Sequence, residues 1–254
     1  MVFVTTKKVY FETMRERGVL GLIVKGSTGA GKSAYAIKVL AQLHGKLKVE
    51  ENEQGNKELI LEEANWDAWK KWLVFMPEDF LKKLQEAYAF ERQLPALVWD
   101  DAGAWANKYM WYTPVAQKIA AWLNTARTAY ACMIWTTPDE DDLFAAIRNF
   151  PDNHLAPVRK YTQDEWRREV IVYDKWKSPD GKKKGVAQMY VDRYNCKLPD
   201  AVHEEYRGIR REYNKILLDE IERSIKEHEL RSAELEGRAI KLLKVRGYVG
   251  GTTV

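Results

Sequence analysis

Apolar residues in the first 150 positions fall into short unbroken runs separated by stretches with helical spacing. That alternation predicts an α/β domain, a sheet flanked by helices. The first run, 19–24, predicts a buried strand, and 34–43 follows it with a helical pattern. Trp66, Trp69 and Trp72 stand at i, i+3 and i+6, so 62–72 is expected to be a helix with one aromatic face toward the core. After 73–76, Pro77 with Glu78 and Asp79 opens a helix that runs to about Arg92, with Phe80, Leu81, Leu84 and Tyr88 as its buried stripe. A second strand is predicted at 94–99, directly before Asp100 and Asp101. Residues 114–128 have helical periodicity through Val115, Ile119, Trp122 and Leu123. A third strand, 131–135, ends in Thr136 and Thr137. Pro138 and the acids Asp139, Glu140, Asp141 and Asp142 then start a helix whose charges suit its N-terminal dipole, closing at 147–150.

Beyond Phe150 the pattern changes. Strand-like stretches at 169–173 and 186–191 flank the turn Ser178, Pro179, Asp180, Gly181, and Lys182, Lys183 and Lys184 follow, which predicts a β-hairpin with a basic tip. These lysines, with Trp166, Tyr173 and Trp176 nearby, have two readings: a surface that grips DNA phosphates and stacks on bases, or a solvated turn. Residues 202–243 are strongly helical, and Ile209, Ile216, Leu217, Ile221 and Ile225 mark a stripe suited to packing on its own core or on another subunit. The expected organisation is a core at 1–155, a hairpin extension of the core sheet at 156–199 and a helical appendage at 200–254.

Composition narrows this picture only modestly. With 254 residues and 46% hydrophobic content the chain can build one α/β domain and a smaller appendage. A net charge of +4, from 41 basic and 37 acidic residues, permits contact with nucleic acid without demanding it. Cys132 and Cys196 lack metal or redox spacing, and Cys132 lies in an apolar strand, which predicts a buried thiol. No signal peptide and no uncharged run of membrane-spanning length is evident, so a soluble, cytoplasmic protein without a membrane partner is expected. The ten Trp and thirteen Tyr fit a large aromatic core or base-stacking surfaces.

The candidate chemistry lies between the first strand and the first long helix. Gly26, Ser27, Thr28, Gly29, Ala30, Gly31, Lys32 and Ser33 read G-x-x-x-x-G-K-S, the pattern of a phosphate-binding P-loop. Small residues let successive backbone N–H groups close around phosphates, Lys32 reaches the terminal phosphates, Ser33 offers a hydroxyl to Mg²⁺, and the helix N-terminus adds partial positive charge. An apolar strand ending in two acids supplies the remainder of such a site. Asp100 is assigned to the metal shell and Asp101 to the base that takes a proton from the attacking water. At the tip of the next strand, Thr136 and Thr137 are both candidates for sensing the γ-phosphate or orienting water.

Taken together, the P-loop, the acidic strand, Ala126 and Arg127, the strand to Trp135 with its threonine tip, and Ile147, Arg148, Asn149 and Phe150 resemble the HerA/FtsK group of P-loop ATPases. The chain is also similar to small ATPases encoded by crenarchaeal viruses and plasmids. The resemblance covers roughly residues 19–150. It implies a RecA-like α/β sheet with an extra strand between the P-loop strand and the acidic strand, hydrolysis of ATP with Mg²⁺, and movement of DNA through hexameric rings. By position it places phosphate contacts at Gly26 to Ser33, metal and base roles at Asp100 and Asp101, and a sensor at Thr137, where the group commonly has Gln after Thr. Arg127 and Arg148 stand where ring ATPases often place a residue that touches nucleotide, with a surface ion pair as the other reading. The expected function is a DNA-translocating or DNA-remodelling ATPase of a virus or plasmid, acting as a homo-oligomer. The alternatives are a nucleotide-gated assembly or loader protein and a nucleoside kinase.

Overall fold

The computed structural model describes residues 2–90, 92–106, 114–123, 128–178 and 184–245. The chain divides into two units, Met1–Pro199 and Asp200–Val254.

The first unit opens with α1 (Val4–Lys8), a π-helical turn (Val9–Thr13) and α2 (Met14–Glu16). The backbone N–H groups of Val4 and Thr5 donate to the Asp192 carboxylate, which caps this short helical segment from across the sheet. Next come β1 (Leu20–Lys25), α3 (Lys32–Leu43), β2 (Lys46–Glu51), β3 (Lys57–Glu63), α4 (Ala68–Trp72), β4 (Leu73–Val74) and α5 (Pro77–Tyr88). The chain continues through β5 (Leu94–Trp99), α6 (Ala102–Trp105), α7 (Pro114–Leu123), β6 (Tyr130–Thr137) and α8 (Ala145–Arg148). It ends with β7 (Asn153–Lys160), β8 (Arg167–Lys177) and β9 (Lys184–Asn195).

Seven strands form one sheet in the order β4-β5-β6-β1-β7-β8-β9. The pairs from β4 to β7 are parallel, and β8 and β9 extend the sheet antiparallel. The architecture is therefore α/β with a mostly parallel sheet, and β6 lies between the glycine-loop strand β1 and the acid-bearing strand β5. All eight residues of β6 and the first five of β1 are buried, which explains why these strands read as unbroken apolar runs. Trp69, Trp99 and Trp135 are among the most deeply buried side chains, with Phe80 stacked on Trp99 and the Trp99 indole donating to the Phe75 carbonyl at 2.7 Å. Cys132 is fully buried, and burial pushes its thiol up to about 12.

Several expected boundaries move. Residues 57–63 pair with 46–51 as a separate charged hairpin, and the helix begins only at Ala68, because the Asn65 side chain turns the chain by accepting from the Asp67 N–H. Trp66 thus falls in a turn, while Trp69 and Trp72 reach the core. α5 stops at Tyr88, whose ring is half exposed; Ala87 takes the buried place instead. The acids after Pro138 form one 3-10 turn, Glu140–Asp142, capped by the Asp139 carboxylate, before the separate helix α8. The β8–β9 hairpin is longer than its apolar stretches and continues the main sheet.

The second unit contains one long helix, α9 (Asp200–Val245). Its stripe is not buried on a core of its own: Ile216, Ile221 and Ile225 are exposed. Among the described residues no helix is long and apolar enough to cross a membrane.

Candidate functional site

The loop 26–31 joins the carboxyl end of β1 to α3. Gly31 is the N-cap of α3 at φ 100°, a left-handed conformation, and a Cβ there would come within 3.1 Å of the Tyr194 hydroxyl and the Cys196 Cβ. Ser27, Thr28 and Gly29 are exposed, while the Gly26 N–H donates to the Pro138 carbonyl and the Ala30 N–H to the Ser27 carbonyl. Lys32 folds back onto the loop, its ammonium donating to the carbonyls of Gly26 (2.7 Å) and Ser27 (3.1 Å). Lys32 is only 8% exposed, and these carbonyls help to solvate its buried charge. The same carbonyls hold the ammonium at the glycine loop.

Asp100 ends β5 completely buried and accepts a hydrogen bond from the Ser33 hydroxyl at 2.9 Å. The Thr136 hydroxyl, one strand over, donates to the same carboxylate oxygen and accepts from the Asp101 N–H at 2.8 Å. One threonine therefore holds the carboxylate of the first acid and the backbone of the second. Asp101 takes a left-handed backbone (φ 51°, ψ 36°), which costs about 1 kcal/mol or more and persists only where neighbours impose it. Thr137 is buried and donates to the Asp139 carbonyl at 2.7 Å. Of the two threonines left open by the sequence, Thr136 is the one at the acidic pair.

Ser33 and Asp100 present a hydroxyl and a carboxylate, the hard oxygen donors that suit Mg²⁺, which typically takes one or two protein ligands and completes its shell with water and phosphate. Among the described residues no cluster of three or more His, Cys, Asp or Glu could hold a metal by itself.

The other sequence-derived residues divide by location. Arg148 pairs with Asp141 at 2.8 Å, the surface ion pair that was one of its two readings. Arg127, Lys182 and Lys183 lie outside the described residues. Lys184 is exposed at the start of β9, opposite Lys177. Because β8 runs antiparallel to β7, the end of β8 at Lys177 and the start of β9 at Lys184 lie at the end of the sheet opposite the glycine loop.

Sequence reasoning missed two residues that bond to the loop and one that stands beside it. The Arg168 Nε donates to the Ala30 carbonyl at 3.0 Å, and the Tyr194 hydroxyl donates to the Gly31 carbonyl at 2.9 Å. Lys25, the last residue of β1, pairs with Glu140. Arg168 and Tyr194 reach the loop from 138 and 163 positions away, and no local pattern marks either one.

No family model matches the chain. It is similar to the uncharacterized protein B-251 of Sulfolobus spindle-shape virus 1, at 26% identity over 227 residues that cover 82% of this chain and 80% of that protein. It is also similar to the uncharacterized protein ORF286 of Acidianus two-tailed virus, at 29% identity over 155 residues, or 60% of this chain and 47% of that protein. Among solved structures, the N-terminal domain of zonular occludens toxin from Neisseria meningitidis is similar at a TM-score of 0.38 and 11% identity, covering 73% of this chain and 97% of that domain. Both sequence relatives are proteins of crenarchaeal viruses.

Proposed function

We propose that the chain is a viral Mg²⁺-dependent P-loop ATPase with a RecA-like core, and that it translocates or remodels DNA as a homo-oligomer. The observation that carries the reading is the hydrogen bond from Ser33 to Asp100. It joins the glycine loop to the acidic strand across 67 positions of sequence, with β6 between the two strands. A glycine-rich turn that merely connected a strand to a helix would have no use for a buried carboxylate at that point.

In this reading the amides of 27–33 cradle the phosphates, and Lys32 exchanges the Gly26 and Ser27 carbonyls for phosphate oxygens. Ser33 and Asp100 hold Mg²⁺, which neutralises charge on the β- and γ-phosphates when bound. Asp101, held by Thr136, takes the proton of the attacking water, so that ATP and water give ADP and phosphate. The viral relatives support the setting, and the exposed stripe of α9 supports association between copies.

The test is ATP turnover with and without DNA, single- and double-stranded, alongside sedimentation with and without ATP. A DNA motor of this kind hydrolyses ATP faster with DNA and sediments as an oligomer. Slow turnover indifferent to DNA, in a chain that nonetheless assembles with ATP, would replace the motor by a nucleotide-gated assembly protein.

A further inference from the structure

Beside α3, on the flank of the glycine loop, lies an open cavity of about 470 Å³. Aromatic rings of Trp66, Tyr161 and Tyr194 line it, with Lys38, Arg167 and Arg193 among them, and no carboxylate is among the residues that line it. The charge balance at the rim is positive. Arg193 and Arg159 share the single carboxylate of Glu169, Arg167 has only a 3.6 Å pairing with Asp164, and Lys38 has no carboxylate partner among the described residues. A pocket with apolar, aromatic walls and a cationic rim fits a flat ring system that carries an anionic group.

Three features specify that ligand further. Cations sit over three neighbouring rings: Lys38 over Trp66 at 5.2 Å, Arg193 over Tyr161 at 4.3 Å, and Lys197 over Trp166 at 4.4 Å. Tyr161 and Trp166 remain 39% and 40% exposed, so these large rings are not there to fill the core. Trp166 adjoins the cavity, because its carbonyl accepts from the Cys196 N–H one residue past the cavity wall at Asn195. Rings and cations that continue past the cavity wall to Trp166 and Lys197 offer a platform for successive bases and phosphates. The location agrees. The cavity is at the same end of the sheet as the glycine loop, and Tyr194 lines the one and donates to the other, whereas Lys177 and Lys184 at the far end of the β8–β9 pair are roughly 33 Å away along β8.

We propose that this cavity and the adjoining Trp166 bind single-stranded nucleic acid, one base entering between Trp66 and Tyr161, its phosphate meeting Lys38, Arg167 and Arg193, and a neighbouring base stacking on Trp166. The inference rests on the nucleic-acid part of the proposed function and deepens it, but it uses none of the glycine-loop residues.

The measurement is fluorescence anisotropy of a labelled twelve-nucleotide oligothymidylate titrated with the full chain over a range of salt. The expected result is binding that weakens about tenfold in Trp166→Ala and in Tyr161→Ala, recovers in Trp166→Phe and Tyr161→Phe, and has a shallower salt dependence in Arg193→Ala. Lys32→Ala is expected to bind the oligonucleotide like the parent, which separates failure of this site from failure of the ATPase reading. The triple Lys182→Ala, Lys183→Ala, Lys184→Ala variant is also expected to bind like the parent. Equal affinity in the parent and both ring variants overturns the proposal. So does an absence of binding, or displacement of the oligonucleotide by equimolar thymidine monophosphate.

Discussion

At the residue scale the site turns on one hydroxyl. Thr136 satisfies an oxygen of the buried Asp100 and holds the Asp101 N–H, so its removal leaves a buried carboxylate short of a partner and frees a left-handed backbone. Thr136→Val keeps the shape and deletes only these bonds. We expect it to cost about 1–3 kcal/mol in thermal unfolding and to raise the Mg²⁺ concentration needed for turnover. Asp101→Asn is expected to slow turnover while leaving that Mg²⁺ requirement unchanged; a shift of both variables in both variants would show that the two acids do not divide the work. Ser33 and Asp100 were legible in the sequence because each belongs to a short motif whose spacing has a chemical reason. The choice between Thr136 and Thr137 was not, since adjacent residues of a strand point to opposite faces and no sequence pattern says which face the acid is on. Arg168 and Tyr194 were illegible for a different reason. They act on Ala30 and Gly31 through the sheet order, which brings distant segments together.

At the scale of elements, the strands were easiest to read. β1, β5 and β6 are buried on both faces and so appear as unbroken apolar runs. The hairpin of β2 and β3 was not read, because most of its residues are exposed and charged. Helix ends moved wherever a side-chain turn or cap decided them, as at Asn65 and Asp139. The end of α3 carries a pH-sensitive contact: His44 lies flat on Trp72 with ring centres 5.3 Å apart, and its Nε2 is 3.2 Å from the Ala96 carbonyl. Burial lowers its pKa from 6.5 to about 4, so the ring is neutral in the fold. Below pH 6.5 the unfolded chain takes up this proton first. The stabilisation is therefore complete above that pH and declines as pH falls toward 4, by on the order of 2–3 kcal/mol. Chemical unfolding of parent and His44→Gln at pH 7 and pH 4.5 should show the larger acid loss in the parent, and parallel losses would mean that His44 is not held neutral.

At the scale of the whole molecule, the sheet order gathers the site at one edge of the strands. β1, β5 and β6 all point their carboxyl ends at the glycine loop, the place where open α/β sheets bind ligands. The apolar runs predicted such a sheet, but only the pairing of β6 with both β1 and β5 explains how Ser33 meets Asp100. The exposed stripe of α9 shows the limit of reading a helix in isolation: periodicity marks an apolar face without saying what covers it. The central claim is that Gly26 to Ser33 hold the phosphates of ATP for hydrolysis, and phosphate release from ATP and Mg²⁺ by the parent and by Lys32→Ala, with thermal unfolding measured on both, tests it most directly. The account predicts Mg²⁺-dependent turnover in the parent and its near-complete loss in a variant that unfolds at a similar temperature. Equal turnover in the folded variant, or none in the parent, would contradict it.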